Sequence, residues 1–107
     1  MFYPLISVDE LIDGEIKTFD VEGFNFLLIK FENDIHLIEN KCGHFGVALA
    51  DGSLRIDKAI ASIVCPEHGI SFSLATGEVV NRPYENCTPI NIYQYEVRDN
   101  MIGFVKD

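Results

Sequence analysis

At 107 residues the chain has room for one domain and one hydrophobic core. Its 17 acidic residues against 8 basic ones give a formal net charge of −9, which repels a phosphate backbone and an anionic membrane face alike and so argues against nucleic acid and membranes as partners. Such a field favours docking on a basic surface, although solubility alone also accounts for it.

Apolar residues make up 48% of the chain, enough for a packed core, and no apolar run approaches the roughly 20 residues of a membrane helix. The opening "MFYPLISVDELIDGE" lacks the basic start and apolar stretch of an export signal. A cytoplasmic protein with reduced thiols is therefore expected, and its three cysteines, an odd number, point to metal or catalytic roles rather than a disulfide framework.

In chain order, a strand is predicted near Tyr3 to Ile6, followed by one helical turn through Leu11 that Ser7 and Glu10 would cap, and by a stop at Asp13 to Glu15. Strands over Ile16 to Val21, Phe24 to Phe31 and Ile35 to Glu39 form a meander, with turns at Gly23 and at Asn33 and Asp34. From Lys41 to Ser53 periodicity is lost among Gly43, Gly46, Asp51 and Gly52, which marks a loop. Ala59 to Val64 is a strand apolar on both faces, ended by Cys65, Pro66 and Gly69. "SFSLATGEVV" reads as a hairpin turning at Thr76 and Gly77, and the chain closes with strands over Ile90 to Arg98 and Ile102 to Val105. Short alternating segments separated by turn chemistry make this an all-β, antiparallel single domain over residues 1–107.

Cys42 and His44 form a CxH pair on the first loop, and Cys65 and His68 a CxxH pair on the second. Converging loops would present two thiolates and two imidazoles, a donor set for zinc, iron or an iron-sulfur cluster rather than for calcium or magnesium. A closed zinc site uses the same four donors, but zinc modules usually pair cysteine with cysteine and histidine with histidine along the chain. A binuclear cluster gives the mixed pairs a reason: one iron takes both cysteines, the other both histidines, and each loop contributes to each iron. Unligated core residues explain poorly why histidine twice follows cysteine within three positions beside a glycine.

The motifs "CGH" and "CPEHG", with "HGISFSLATGEVV" and a later Pro83 in "NRPY", resemble the fingerprint of the Rieske [2Fe-2S] domain, and nearly the whole chain is similar to the Rieske-type ferredoxins of bacterial ring-hydroxylating oxygenase systems. The resemblance implies a Rieske-type antiparallel β-sandwich with a cluster-binding subdomain formed by two loops, within about residues 41–84. It further implies one [2Fe-2S] cluster per chain, Cys42 and Cys65 on the inner iron, His44 and His68 on the outer iron near solvent, and Pro83 in a loop packing beside the cluster.

Respiratory and photosynthetic relatives carry a disulfide between the loops, where this sequence has Val47 and Glu67. They also carry a serine and a tyrosine hydroxyl where Ile70 and Phe72 stand here. Hydrogen bonds to cluster sulfur raise the potential, and Glu67 adds negative charge, so a value at the low end of the Rieske range of about −150 to +300 mV is predicted. The spacer from Phe45 to Val64 is somewhat long for these ferredoxins, with "LRIDKA" as the extra length.

Outside the motif, Cys87 reads as a packed small residue and His36 as an ordinary strand residue. Phe45 and Val47 would pack beneath the first loop, and Glu39, Asp51, Glu67 and Glu85 would ring the cluster tip. No nucleophile, base or substrate pocket is legible. The implied function is a monomeric one-electron carrier that takes electrons from a flavin-dependent reductase and docks on basic surfaces to feed a terminal oxygenase. A small Rieske-like subunit of a larger oxidoreductase such as nitrite reductase, or a zinc-stabilised interaction module, are the alternatives.

Overall fold

The computed structural model describes residues 1–42, 48–66, 69–81 and 88–106, and among the described residues ten strands pair antiparallel. They are β1 (Phe2–Ser7), β2 (Ile16–Val21), β3 (Phe24–Phe31), β4 (Asp34–Glu39), β5 (Ser53–Asp57), β6 (Ile60–Val64), β7 (Ser71–Ser73), β8 (Val79–Asn81), β9 (Tyr95–Arg98) and β10 (Met101–Val105). Among the described residues the helical content is a single 3-10 turn, Val8–Glu10, where the Ser7 hydroxyl accepts the Asp9 N–H at 3.3 Å. The capping serine is thus the expected one, while its bond goes to the second residue of the turn.

The strands form three sheets, ordered β1, β10, β9, then β2, β3, β4, and then β5, β6, β7, β8. The middle sheet is the β2, β3, β4 meander, because β3 is buried on both faces. Phe26 and Leu28 point into one core with Leu11, Leu37, Ile102 and Phe104. Leu27 and Ile29 point into the other, with Ile38, Leu49, Ile63, Ile70, Phe72, Leu74 and both Cys42 and Cys65. A period-two strand sends successive side chains to opposite faces, so a continuous apolar run is what a middle layer requires.

Two-residue turns with both residues at positive φ join four of the hairpins: Glu22 and Gly23, Glu32 and Asn33, Lys58 and Ala59, Asp99 and Asn100. Their twist matches that of the flanking strands. Glycine or asparagine makes three of them legible in the sequence; Lys58 and Ala59, at φ 52° and 67°, have neither.

β5 is an addition to the elements expected from sequence, since "SLRID" alternates but ends in a turn without turn residues. The segment from Ile90 to Gln94 belongs to no strand, apart from an isolated bridge between Ile92 and Ile38. Its backbone is shared among partners: Ile90 N–H donates to Gly77 O at 2.9 Å, Tyr93 N–H to Leu37 O at 2.8 Å, and Asn91 O accepts from Glu39 N–H at 2.9 Å. It crosses from the loop-bearing sheet to the terminal one instead of running as one strand to Arg98.

His36 lies half-buried on β4, and its Nε2 is buried with no hydrogen-bond partner among the described residues. Burial pushes its imidazole below the ordinary 6.5, against the opposing pull of the Asp34 carboxylate and the Leu74 carbonyl. The unfolded chain therefore takes up this proton at a higher pH than the folded one, so stability falls as pH drops from 6.5 through the folded value. His36→Phe is expected to flatten the dependence of the thermal midpoint on pH below 6.5, which melting curves of the two proteins side by side will check.

Candidate metal centre

Cys42 stands two residues beyond Asn40, at the exit of β4, and Cys65 directly follows β6. Both side chains are buried to 1% exposure in the same core. Leu49, Ile63, Ile70, Phe72 and Ile90 share that core. Two soft donors in an apolar wall fit a thiolate-bound iron, because such surroundings exclude water from sulfur and suit a soft metal.

Each loop is closed by hydrogen bonds near its cysteine. On the first, the Asn40 side-chain carbonyl accepts the Leu49 N–H at 2.8 Å and the Ala50 N–H at 3.1 Å. Its amide donates to Asn25 Oδ1 at 2.6 Å, and Asn25 Nδ2 donates in turn to Asp20 at 2.8 Å. The loop is thereby clamped at both ends by one side chain. On the second, Cys65 N–H donates to Ile70 O at 2.8 Å and Gly69 N–H to Cys65 O at 3.1 Å. Gly69 sits at φ +69°, the left-handed region that glycine adopts at no steric cost.

Gly52 joins the two loops. Its N–H donates to Leu49 O at 2.9 Å, and a Cβ at this position would meet the Leu49 carbonyl at 3.0 Å and collide with the carbonyl of Val64, the residue before Cys65. Glycine is what lets the end of the first loop lie against the start of the second. Ser53 then pairs with Val64, continuing the contact into the β5/β6 ladder.

Ile70, just before β7, and Phe72, on it, are fully buried in the core that holds the thiols. The intervening Ser71 is buried too, but its hydroxyl donates to Asp57 Oδ2 at 2.8 Å. That bond, then the Arg55 guanidinium at 3.0 Å, holds the Asp57 carboxyl below the usual carboxylate range. The hydroxyl nearest the second motif is thus engaged elsewhere.

Glu39, expected among acids ringing the tip, accepts the Asn91 N–H at 3.1 Å and so ties the crossing segment to β4. Asp51 is exposed. His44 and His68, with Phe45, Val47, Glu67, Pro83, Glu85 and Cys87, lie outside the described residues. Among the described residues no three histidine, cysteine, aspartate or glutamate side chains gather as a metal site. Asn40 and Gly52 are the positioning residues that sequence reasoning missed. The signal for Asn40 was its place two residues before Cys42, but its partners are remote in sequence.

The Rieske [2Fe-2S] domain family matches residues 1–96, and the chain belongs to that family. Its cofactor is accordingly a [2Fe-2S] cluster. The ferredoxin component of the alkene monooxygenase system of Xanthobacter autotrophicus (strain ATCC BAA-1158 / Py2) is 34% identical over 80 residues, covering 75% of this chain and 63% of that protein's length. The ferredoxin of carbazole 1,9a-dioxygenase from Nocardioides aromaticivorans IC177 superposes with a TM-score of 0.85 at 23% identity, over 100% of this chain and 99% of that one. A chain assigned as the small subunit of an NADH-dependent nitrite reductase from Mycobacterium tuberculosis shares the fold equally, with a TM-score of 0.86 at 16% identity over 100% and 96% of the two chains. The expected all-β antiparallel architecture is the family's. No helix among the described residues is long and apolar enough to cross a membrane.

Proposed function

We propose that this chain is a one-electron carrier that receives electrons from a flavin-dependent reductase and delivers them to a terminal oxygenase. Two buried thiols in one dry core, at loops that each carry a histidine in the sequence, are the observation that supports it most. When bound, the cluster supplies one reversible electron per visit. Cys42, Cys65, His44 and His68 are the residues that would hold it.

Ile63, Ile70 and Phe72 keep water from the thiolates, and neither Ile70 nor Phe72 carries a hydroxyl that could donate to sulfur. Ser71 supplies none either, since its hydroxyl is donated to the Asp57 carboxylate. Without these donors and with Glu67 next to His68 in the sequence, the reduced, more negative cluster gains little stabilisation. The reduction potential is expected below zero, toward the lower end of the range of about −150 to +300 mV, and Phe72→Tyr is expected to raise it. Spectroelectrochemistry checks both, and a parent value well above zero overturns the argument.

The −9 charge suits docking on basic partner surfaces, with an association rate that falls as salt rises. The chain is read as a cytoplasmic monomer. Reconstitution tests the function: oxygenase turnover with a reductase should require the protein and stop without it. A subunit of a nitrite reductase is the second reading, because that fold matches as well. The carrier is favoured because both Cys/His pairs stand in this sequence, and isolation as part of a stable larger reductase would reverse the preference.

A further inference from the structure

We propose that Asp57 and Lys58, at the tip of the β5/β6 hairpin, are positioning residues for the cluster, acting through the strands from which its second ligand loop and the following proline-bearing segment depart. Asp57 Oδ2 accepts the buried Ser71 hydroxyl at 2.8 Å, and Ser71 opens β7 directly after the loop that Cys65 and Ile70 close. Lys58 Nζ donates to Val80 O at 3.2 Å, one residue before β8 ends at Asn81. Residues 82–87 follow Asn81 directly in the chain.

The tip thus reaches past β6 to hold both later strands of its sheet. A cleft of about 360 Å³ is lined by Lys58, Ile60, Ser73, Thr76, Glu78 and Val80 beside it. The turn itself supports this reading. Lys58 and Ala59 both sit in the left-handed region, which residues with a Cβ avoid and which asparagine or glycine would occupy readily. A tight tip built from unsuitable residues is held by its side-chain bonds, and Arg55 steadies the same carboxylate at 3.0 Å. The extra length "LRIDKA" therefore acts as a strap rather than a passive insertion.

The inference rests on the reading of the chain as a cluster carrier. The test uses the isolated holoprotein and compares Asp57→Ala, Asp57→Asn and Lys58→Met with the parent. A control, Asp13→Ala, removes an acceptor for the Asn33 N–H on the distant β3/β4 turn. Cluster release to a chelator, the reduction potential, the electron paramagnetic resonance spectrum of the reduced state and the thermal midpoint are measured for each.

Losing a hydrogen bond to a charged group is expected to speed cluster release about tenfold in Asp57→Ala. Lys58→Met should show a smaller acceleration, and Asp57→Asn, which still accepts from Ser71, an intermediate one. The potential and resonance spectrum of Asp57→Ala should shift while those of Asp13→Ala do not. Release and spectra unchanged in both Asp57→Ala and Lys58→Met overturn the inference, as does an acceleration that Asp13→Ala reproduces at equal loss of thermal stability. A parent protein that holds no iron and sulfide overturns the carrier reading itself, and the inference with it.

Discussion

Purified His44→Ala and His68→Ala proteins are expected to be colourless, or to bleach within the time of purification, with iron and acid-labile sulfide falling together. Each variant removes one of only two imidazoles proposed for the outer iron, and the vacated position cannot be filled by the apolar side chains of the shared core. Changes to groups that merely orient a ligand cost about 10- to 100-fold in metal affinity, so loss of a ligand should exceed about 100-fold. The parent should be red-brown. A visible spectrum that survives either substitution unchanged removes that histidine from the site, and a colourless parent containing zinc removes the cluster.

Phe26→Ala should cost about 3–5 kcal/mol of unfolding free energy, a large share of the 5–15 kcal/mol typical of a domain. Phe26 is fully buried on β3, with its ring 4.5 Å from that of Phe104 and 4.9 Å, edge to face, from that of Tyr93. The three come from the middle sheet, the crossing segment and the terminal sheet, so truncation leaves a cavity that no single element can close. Urea unfolding of the two proteins gives the difference. Phe26 belongs to the core facing away from the thiols, and the visible spectrum of the folded variant should match the parent's.

The meander was legible because its chemistry is local. β2 and β3 begin and end where apolar runs meet Gly14, Gly23 and Asn33, and the structure places them at Ile16–Val21 and Phe24–Phe31 as expected. That Cys42 and Cys65 stand beyond strand ends was legible for the same reason, since Gly43 and Gly46 follow the first and Pro66 and Gly69 the second. What stayed hidden depends on partners distant in sequence. The sequence does not show what Asn40 holds, because Leu49 and Ala50, which donate to it, lie nine and ten residues on. Nothing in the sequence sets Asp57 apart, because Ser71, which donates to it, lies 14 residues on. β5 was hidden by a turn whose residues do not advertise one, and the strand expected from Ile90 was shortened because its backbone bonds are spent on two different sheets.

The alternation along β3 also divides how the protein can vary. Changes at Leu27 and Ile29 are felt beside the thiols, whereas changes at Phe26 and Leu28 are felt among the rings of the opposite core. Selection on redox behaviour therefore reads two letters of this eight-residue word, while selection on endurance reads all four of its fully buried ones. A lineage retuning the surroundings of its thiols must do so with volumes that still fill the fold, whereas the even positions answer to endurance alone.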